Sequence, residues 1–222
     1  MVVAEAEGRV KGRLSNPCAD PPLRPDGKLD VAAAIGAGVL AVVRSRKGGG
    51  DPYTGLTEIV SGEIAADLAH YLATSEQINC ALALGVQLDR EGKVTAAGGF
   101  LVQPLPLCSD AALAALERNV AALPSVSAAL ASGAGATGVA DLLLAGLGSA
   151  GDPFTLEPRY GPCDAEGLRG RMLRAAALLG EEEVRASLTA GGVLEMTCEF
   201  CRETLEFDGG EALDAARAAR QG

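Results

Sequence analysis

The 222-residue chain carries 19 basic and 29 acidic residues, a formal net charge of −10, and 48% of it is hydrophobic although only 3% is aromatic. A sizeable core is within reach from Ala, Leu and Val, while the acidic balance argues against a sequence-independent grip on nucleic acid or anionic lipid. No apolar run approaches the length of a membrane span, and Met1-Val2-Val3-Ala4-Glu5 lacks the basic, apolar, small-residue order of a signal peptide, so a soluble, acidic, globular protein is expected.

In chain order, residues 1 to about 107 read as strands and turns around one clear helix. Arg9 to Leu14 is a short strand, and Asn16-Pro17 through Pro25-Asp26-Gly27 is a polar, Pro-rich connection. Val39 to Arg44 is an apolar strand broken by Gly48-Gly49-Gly50-Asp51-Pro52. Ser61 is placed to cap a helix whose Ile64, Leu68, Tyr71 and Leu72 share one face. Ala81 to Leu88 and Val94 to Val102 flank Asp89-Arg90-Glu91-Gly92-Lys93 as a hairpin. From Ser109 to about Gly151 the chain turns Ala-rich and helical. Ser109 and Ser125 cap the first two helices, Pro124 stops the first, and Thr137 caps a third. Short helices with narrow apolar stripes bury little and are marginal unless docked. Beyond Pro153, Leu168 to Leu179 is a helix stopped by Gly180, and Glu181-Glu182-Glu183 places negative charge at the start of the next one. Strands follow at Val193 to Thr197 and Thr204 to Phe207, then a C-terminal helix.

Six cysteines are present, and only Cys198 and Cys201 are close in sequence. This is not the density of a secreted disulfide scaffold, and a reducing compartment is expected. A Cys-x-x-Cys pair serves either redox chemistry at a helix N-terminus or metal binding on the turn of a hairpin. Here strand-like runs lie on both sides, which favours the metal knuckle over redox chemistry or incidental thiols. Structural zinc needs about four ligands, so others must come from elsewhere. Cys163 precedes a helix start and can face its electropositive end. His70, the only histidine, reads as a surface or half-buried residue, and Cys18, Cys80 and Cys108 read as buried inert thiols. No histidine–carboxylate–nucleophile pattern is evident, so an enzyme is the weaker class. Gly48-Gly49-Gly50 is not a phosphate loop, because no Lys-Ser/Thr and helix follow it.

Residues 51 to 77, running from Asp51-Pro52-Tyr53-Thr54-Gly55-Leu56 through Ser61-Gly62-Glu63-Ile64 to Thr74-Ser75-Glu76-Gln77, closely resemble the most characteristic stretch of the heat-shock protein 33 family. Gly27-Lys28-Leu29-Asp30-Val31 and Ala96-Ala97-Gly98-Gly99-Phe100 are similar to two more of its blocks, and Cys198-Glu199-Phe200-Cys201 matches its C-terminal cysteine pair. The resemblance runs in one order from about residue 8 to the end. It implies an α+β protein with a partial N-terminal client-binding sheet domain (1–107), a helical linker (108–152) and a small zinc-knuckle-like redox-switch domain (153–222). It implies an ATP-independent holdase, not an enzyme, that binds unfolded or oxidatively damaged clients under oxidative stress, as a homodimer when active, in the cytoplasm or in an organellar stroma or matrix if the source is eukaryotic. Nucleic acid and membranes are not expected as partners. In the family, four cysteines hold zinc in the reduced, inactive form, and their oxidation releases the metal and loosens the linker.

Two departures from the family pattern follow. The resemblance places several sheet strands ahead of the point where this chain starts, which leaves an unpaired sheet edge. Where the family shows Cys-x-Cys, this chain has Cys163-Asp164-Ala165-Glu166-Gly167, with Arg169 and Arg171 keeping the register. Cys163 serves as the first cysteine if two residues are inserted after Ala165; without a gap, Ala165 and Gly167 take both positions. Zinc is therefore expected on Cys163, Cys198 and Cys201, weakened or lost for want of one family cysteine, with Asp164, water or a partner chain completing the set. Cys198 and Cys201 are expected to form the redox-active disulfide. A thiol–disulfide oxidoreductase using that pair, or a degenerate fragment without function, are the alternatives.

Overall fold

The structure, a computed structural model, describes residues 1–6, 8–45, 50–148, 163 and 165–219. The expected break at Gly48-Gly49, the start of the third region at Pro153 and the candidate ligand Asp164 lie outside these residues. The fold is α+β, as expected, and its contacts divide it into two units, Met1–Pro17 with Pro153–Gly222, and Cys18–Asp152.

The first unit opens with a hairpin of β1 (Val2–Ala4) and β2 (Val10–Gly12), in which Val3 pairs with Lys11. The strand expected over Arg9–Leu14 is thus shorter, and β1, only three residues long, had no alternation from which to be read.

In the Cys18–Asp152 unit a single-turn helix, α1 (Val31–Ile35), is capped by Asp30. β3 (Val39–Arg44) pairs antiparallel with β4 (Tyr53–Glu58). Neither α1 nor β4 was legible: one is too short for a period, and the other mixes Gly and Thr into a polar run. Gly55 of β4 is required by close approach, since a Cβ there would lie 2.4 Å from the Tyr71 hydroxyl. That hydroxyl donates to Glu76 at 2.7 Å, which also pairs with Arg44.

Helix α2 (Ile64–Ser75) corrects two expectations. Its cap position is Glu63 with no side-chain cap, so Ser61 does not cap it. Asp67, one turn in, reaches back instead. Its carboxylate accepts from the backbone N–H groups of Val60 (3.0 Å), Ser61 (2.8 Å) and Gly62 (2.8 Å), and from the Ser61 hydroxyl (3.1 Å). The covered face accordingly carries Asp67 and Tyr71, while Ile64 is exposed. Gly62 sits at φ +75 against Ala32, where a side chain would meet both backbone strain and contact.

The hairpin β5 (Ala81–Leu88) and β6 (Val94–Val102) has the expected bounds, and its turn is held by Asp89, which accepts from the N–H of Glu91 and Lys93. Three helices follow: α3 (Asp110–Ala122), α4 (Val126–Ala131) and α5 (Gly135–Leu143). Ser109 and Ser125 cap the first two as expected, whereas α5 starts at Gly135 and takes Thr137 inside it. Ala129, Val139 and Leu143 form a small core against Phe100 and Val102 of β6.

The remainder of the first unit is α6 (Ala165–Leu179), α7 (Glu181–Ala186), the hairpin β7 (Val193–Thr197) and β8 (Thr204–Asp208), and α8 (Gly209–Ala218). Its core is denser, with Leu168, Met172, Val184, Leu194 and Phe207 buried together. Arg169 lies 4.6 Å over the Phe207 ring, and Glu181 binds both Arg217 and Arg185. Among the described residues, no helix is long and apolar enough to cross a membrane.

Candidate metal and thiol centre

The centre grows from the β7–β8 hairpin. Leu194 faces Phe207 across the ladder and both side chains are buried, so the strands are pinned at the end away from the turn. At the turn, Cys198 N–H donates to the Glu203 carbonyl at 2.8 Å and Arg202 N–H donates to the Cys198 carbonyl at 2.9 Å. Arg202 adopts φ +62, reversing the chain and returning it to β8. This is the hairpin setting that the sequence favoured for Cys198 and Cys201, rather than a helix N-terminus.

Cys163, just ahead of α6, meets them. The three sulfurs lie within 4.8 Å of one another, with Cys163 and Cys198 buried and Cys201 half-buried. Tetrahedral Zn–S bonds of about 2.3 Å place sulfurs about 3.8 Å apart. The spacing and the soft donor set therefore fit a thiolate-bound metal on three sides, and among the described residues no other His, Cys, Asp or Glu joins the cluster. Ala165 and Gly167 lie in α6, and neither side chain can bind a metal.

The thiols differ in acidity. Burial pushes the Cys163 thiol up, and its hydrogen bonds with Cys201 and Cys198 push it the same way. Cys163 thus does not gain the acidity expected from a position ahead of a helix. Burial also acts against the Cys198 thiolate, but the N–H groups of Cys201 and Phe200, together with the Cys201 and Cys163 thiols, outweigh it and hold Cys198 below the ordinary value. A more acidic thiol at Cys198 suits both metal ligation and attack on an oxidant.

The other candidates stand apart from this centre. His70 is exposed, as expected. Cys18 and Cys108 are exposed and Cys80 is half-buried, which corrects the expectation of buried thiols: each lies in a loop or at a strand edge rather than on a core face. Sequence reasoning missed Lys11, whose ammonium lies 5.1 Å from the centroid of the Phe200 ring, and Arg13, which pairs with Glu199. Contacts between residues so distant in sequence leave no local pattern.

Three convergent thiols on an α+β scaffold define a class of protein with a candidate metal site of soft donors. A family model described as Hsp33 protein matches residues 1–208. The chain is 40% identical over 219 residues to a 33 kDa chaperonin of Symbiobacterium thermophilum, covering 98% of this chain and 72% of that one. It is 40% identical to a 33 kDa chaperonin of Geobacter sulfurreducens, over 93% of this chain and 67% of the relative. A crystal structure of the 33 kDa chaperonin (Hsp33 homolog) of Thermotoga maritima superposes with a TM-score of 0.74 at 33% identity, over 98% of this chain and 72% of that one. The chain belongs to the Hsp33 family, the redox-regulated holdase chaperones, and so to a family of chaperones rather than enzymes. The oxidoreductase alternative is not favoured.

Proposed function

We propose that this chain holds unfolding client proteins without ATP and that Cys163, Cys198 and Cys201 govern the holding. The convergence of the three sulfurs within 4.8 Å is the observation that carries this reading. In the reduced state these three cysteines would hold zinc, which would favour their thiolate forms. With three thiols brought together among the described residues, such a site would hold zinc more weakly than a four-thiolate one.

A peroxide supplies the oxidising equivalents. The Cys198 thiolate attacks one peroxide oxygen, giving a sulfenic acid and, after proton uptake, water. Cys201 then attacks the Cys198 sulfur, forming the disulfide and releasing a second water. The disulfide takes up two of the three thiols that would hold zinc, and Cys163 keeps its thiol.

Clients are proposed to bind apolar surface on residues 1–107, with 108–152 acting as a linker that loosens. The β5–β6 sheet supports this. Its one face packs under α4, while Leu84, Val86 and Leu101 on the other are exposed. Alternation across the Leu82–Leu101 and Val86–Ala97 pairs places these three side chains together, an apolar patch suited to unfolded chains. A homodimer as the active state and a cytoplasmic site of action belong to the same proposal.

Light scattering of a heat-unfolded client tests it. The reduced, zinc-loaded chain is expected to suppress aggregation poorly and the peroxide-treated chain well. Equal client scattering with and without either form would remove the holdase reading, and suppression by both forms would remove the thiol control.

A further inference from the structure

The thiol centre has a neighbour that the switch chemistry does not use. Across from the Cys198–Cys201 turn lies the β1–β2 hairpin, which belongs to the same unit although nearly the whole chain separates them in sequence. Two cations of this hairpin and of the residue after it engage the two residues that separate the cysteines. Lys11 places its ammonium 5.1 Å from the centroid of the Phe200 ring, and Arg13 forms an ion pair and hydrogen bond with Glu199.

Lys11 is unusually covered for a lysine, its side chain only 16% exposed, and Glu5 of the same hairpin lies 3.7 Å from its ammonium. The side chain is thus held between a carboxylate and a ring rather than extended into water. Glu5 also lies 3.5 Å from Arg9, so the hairpin's connecting residues share in fixing the carboxylate that faces Lys11.

We propose that the β1–β2 hairpin is a gate on the thiol centre: Lys11 and Arg13 clamp the Glu199-Phe200 turn and thereby limit how often Cys198 and Cys201 open to reagents. The physical route is local opening. Cys198 is buried, so a reagent reaches it only when the turn lifts, and its reaction rate follows the open population when reclosing is fast. Each clamping contact favours the closed turn, and removing both is expected to raise the open population by about three- to tenfold. The inference concerns regulation of the same thiols and rests on reading them as the switch, yet the gate is measured without reference to client binding.

The test is iodoacetamide labelling of the reduced full chain, with each cysteine quantified separately by mass spectrometry. In the Lys11→Ala, Arg13→Ala double variant, Cys198 and Cys201 are expected to label about three- to tenfold faster than in the wild type, while Cys80 keeps its rate. Lys11→Arg, which retains the cation, is expected to stay near the wild-type rate. Unchanged labelling of Cys198 and Cys201 in the double variant overturns the gate. So does an equal rise at Cys80, which would mark general loosening of the chain. A chain that gates its thiols in this way but never suppresses client aggregation keeps the gate and loses the chaperone reading.

Discussion

Asp67 fixes the turn ahead of α2, where a serine cap was expected. Its carboxylate is held below its ordinary value of 3.8, chiefly by the Ser61 N–H against the upward pull of burial, with Val60, the Ser61 hydroxyl and Gly62 adding to the effect. A depressed folded value means that the bond set contributes in full above the unfolded pKa and is lost as pH falls through the folded one. Thermal unfolding should therefore show the wild type losing stability steeply below about pH 4, whereas Asp67→Asn, less stable at neutral pH, should lose less over that range. An identical acid profile for the two would show that Asp67 adds nothing to the dependence. The periodic pattern around Ser61 did locate this helix. It misassigned the cap because the Ser61 hydroxyl accepts from the Glu63 N–H and donates to Asp67 instead of bonding the first N–H groups of the helix, a choice set by the backbone path.

Among the elements, β8 carries a fully buried aromatic ring, whereas α3–α5 bury only a few aliphatic side chains. Phe207 is fully buried, and Leu194 pairs with it across the ladder. Phe207→Ala is expected to cost about 3–5 kcal/mol, read as a lowered denaturant midpoint, because the ring's volume cannot be refilled by Val184 or Ala212. The helices between Asp110 and Leu143 offer far less: α3 has no fully buried residue, and α4 and α5 have two each. Such elements open at low free energy. Amide exchange over residues 109–148 is expected to become faster after peroxide treatment than in the reduced chain, while β5 and β6 keep their protection. Exchange in the helices as slow as in those strands would contradict a loosening linker. The bounds of the β5–β6 hairpin were readable because a polar five-residue turn separates two apolar runs. Those of β1, α1 and β4 were not, because three to six residues with Gly, Thr or Ala carry too little periodicity.

For the whole molecule, the proposed metal would join the thiol centre to the rest of its unit. Cys163 and Cys198 belong to the buried cluster that also holds Leu168, Met172 and Phe207, so a ligand bound there is also a core contact. Metal analysis of the reduced chain is expected to give stoichiometric zinc in the wild type and a reduced content in Cys163→Ser and Cys198→Ser. A mild chelator should remove it without oxidation and lower the unfolding temperature of this unit. Zinc content unaffected by either substitution would place the metal elsewhere, and a wild type without zinc would leave Cys198 and Cys201 able to form at most one disulfide.

The sequence by itself determined the main strands and helices and the thiol pair, because alternation, caps and turn residues act over a few positions and leave a local signature; the family and the α+β class came from the resemblance of residues 51–77 and of the cysteine pair to a known family. It also nominated Cys163, though with Ala165 and Gly167 as rivals for the register. Only the tertiary structure brings the Cys163 sulfur to Cys198 and Cys201 across more than thirty residues of chain, which supports Cys163 over its rivals. The tertiary structure alone decided that Lys11 and Arg13 meet the turn between those cysteines, that Asp67 supplants Ser61, and that Cys18 and Cys108 face solvent. The reason is the same in each case: these are contacts set by how packed elements meet, and a pair of residues distant along the chain carries no period, cap or turn to announce it.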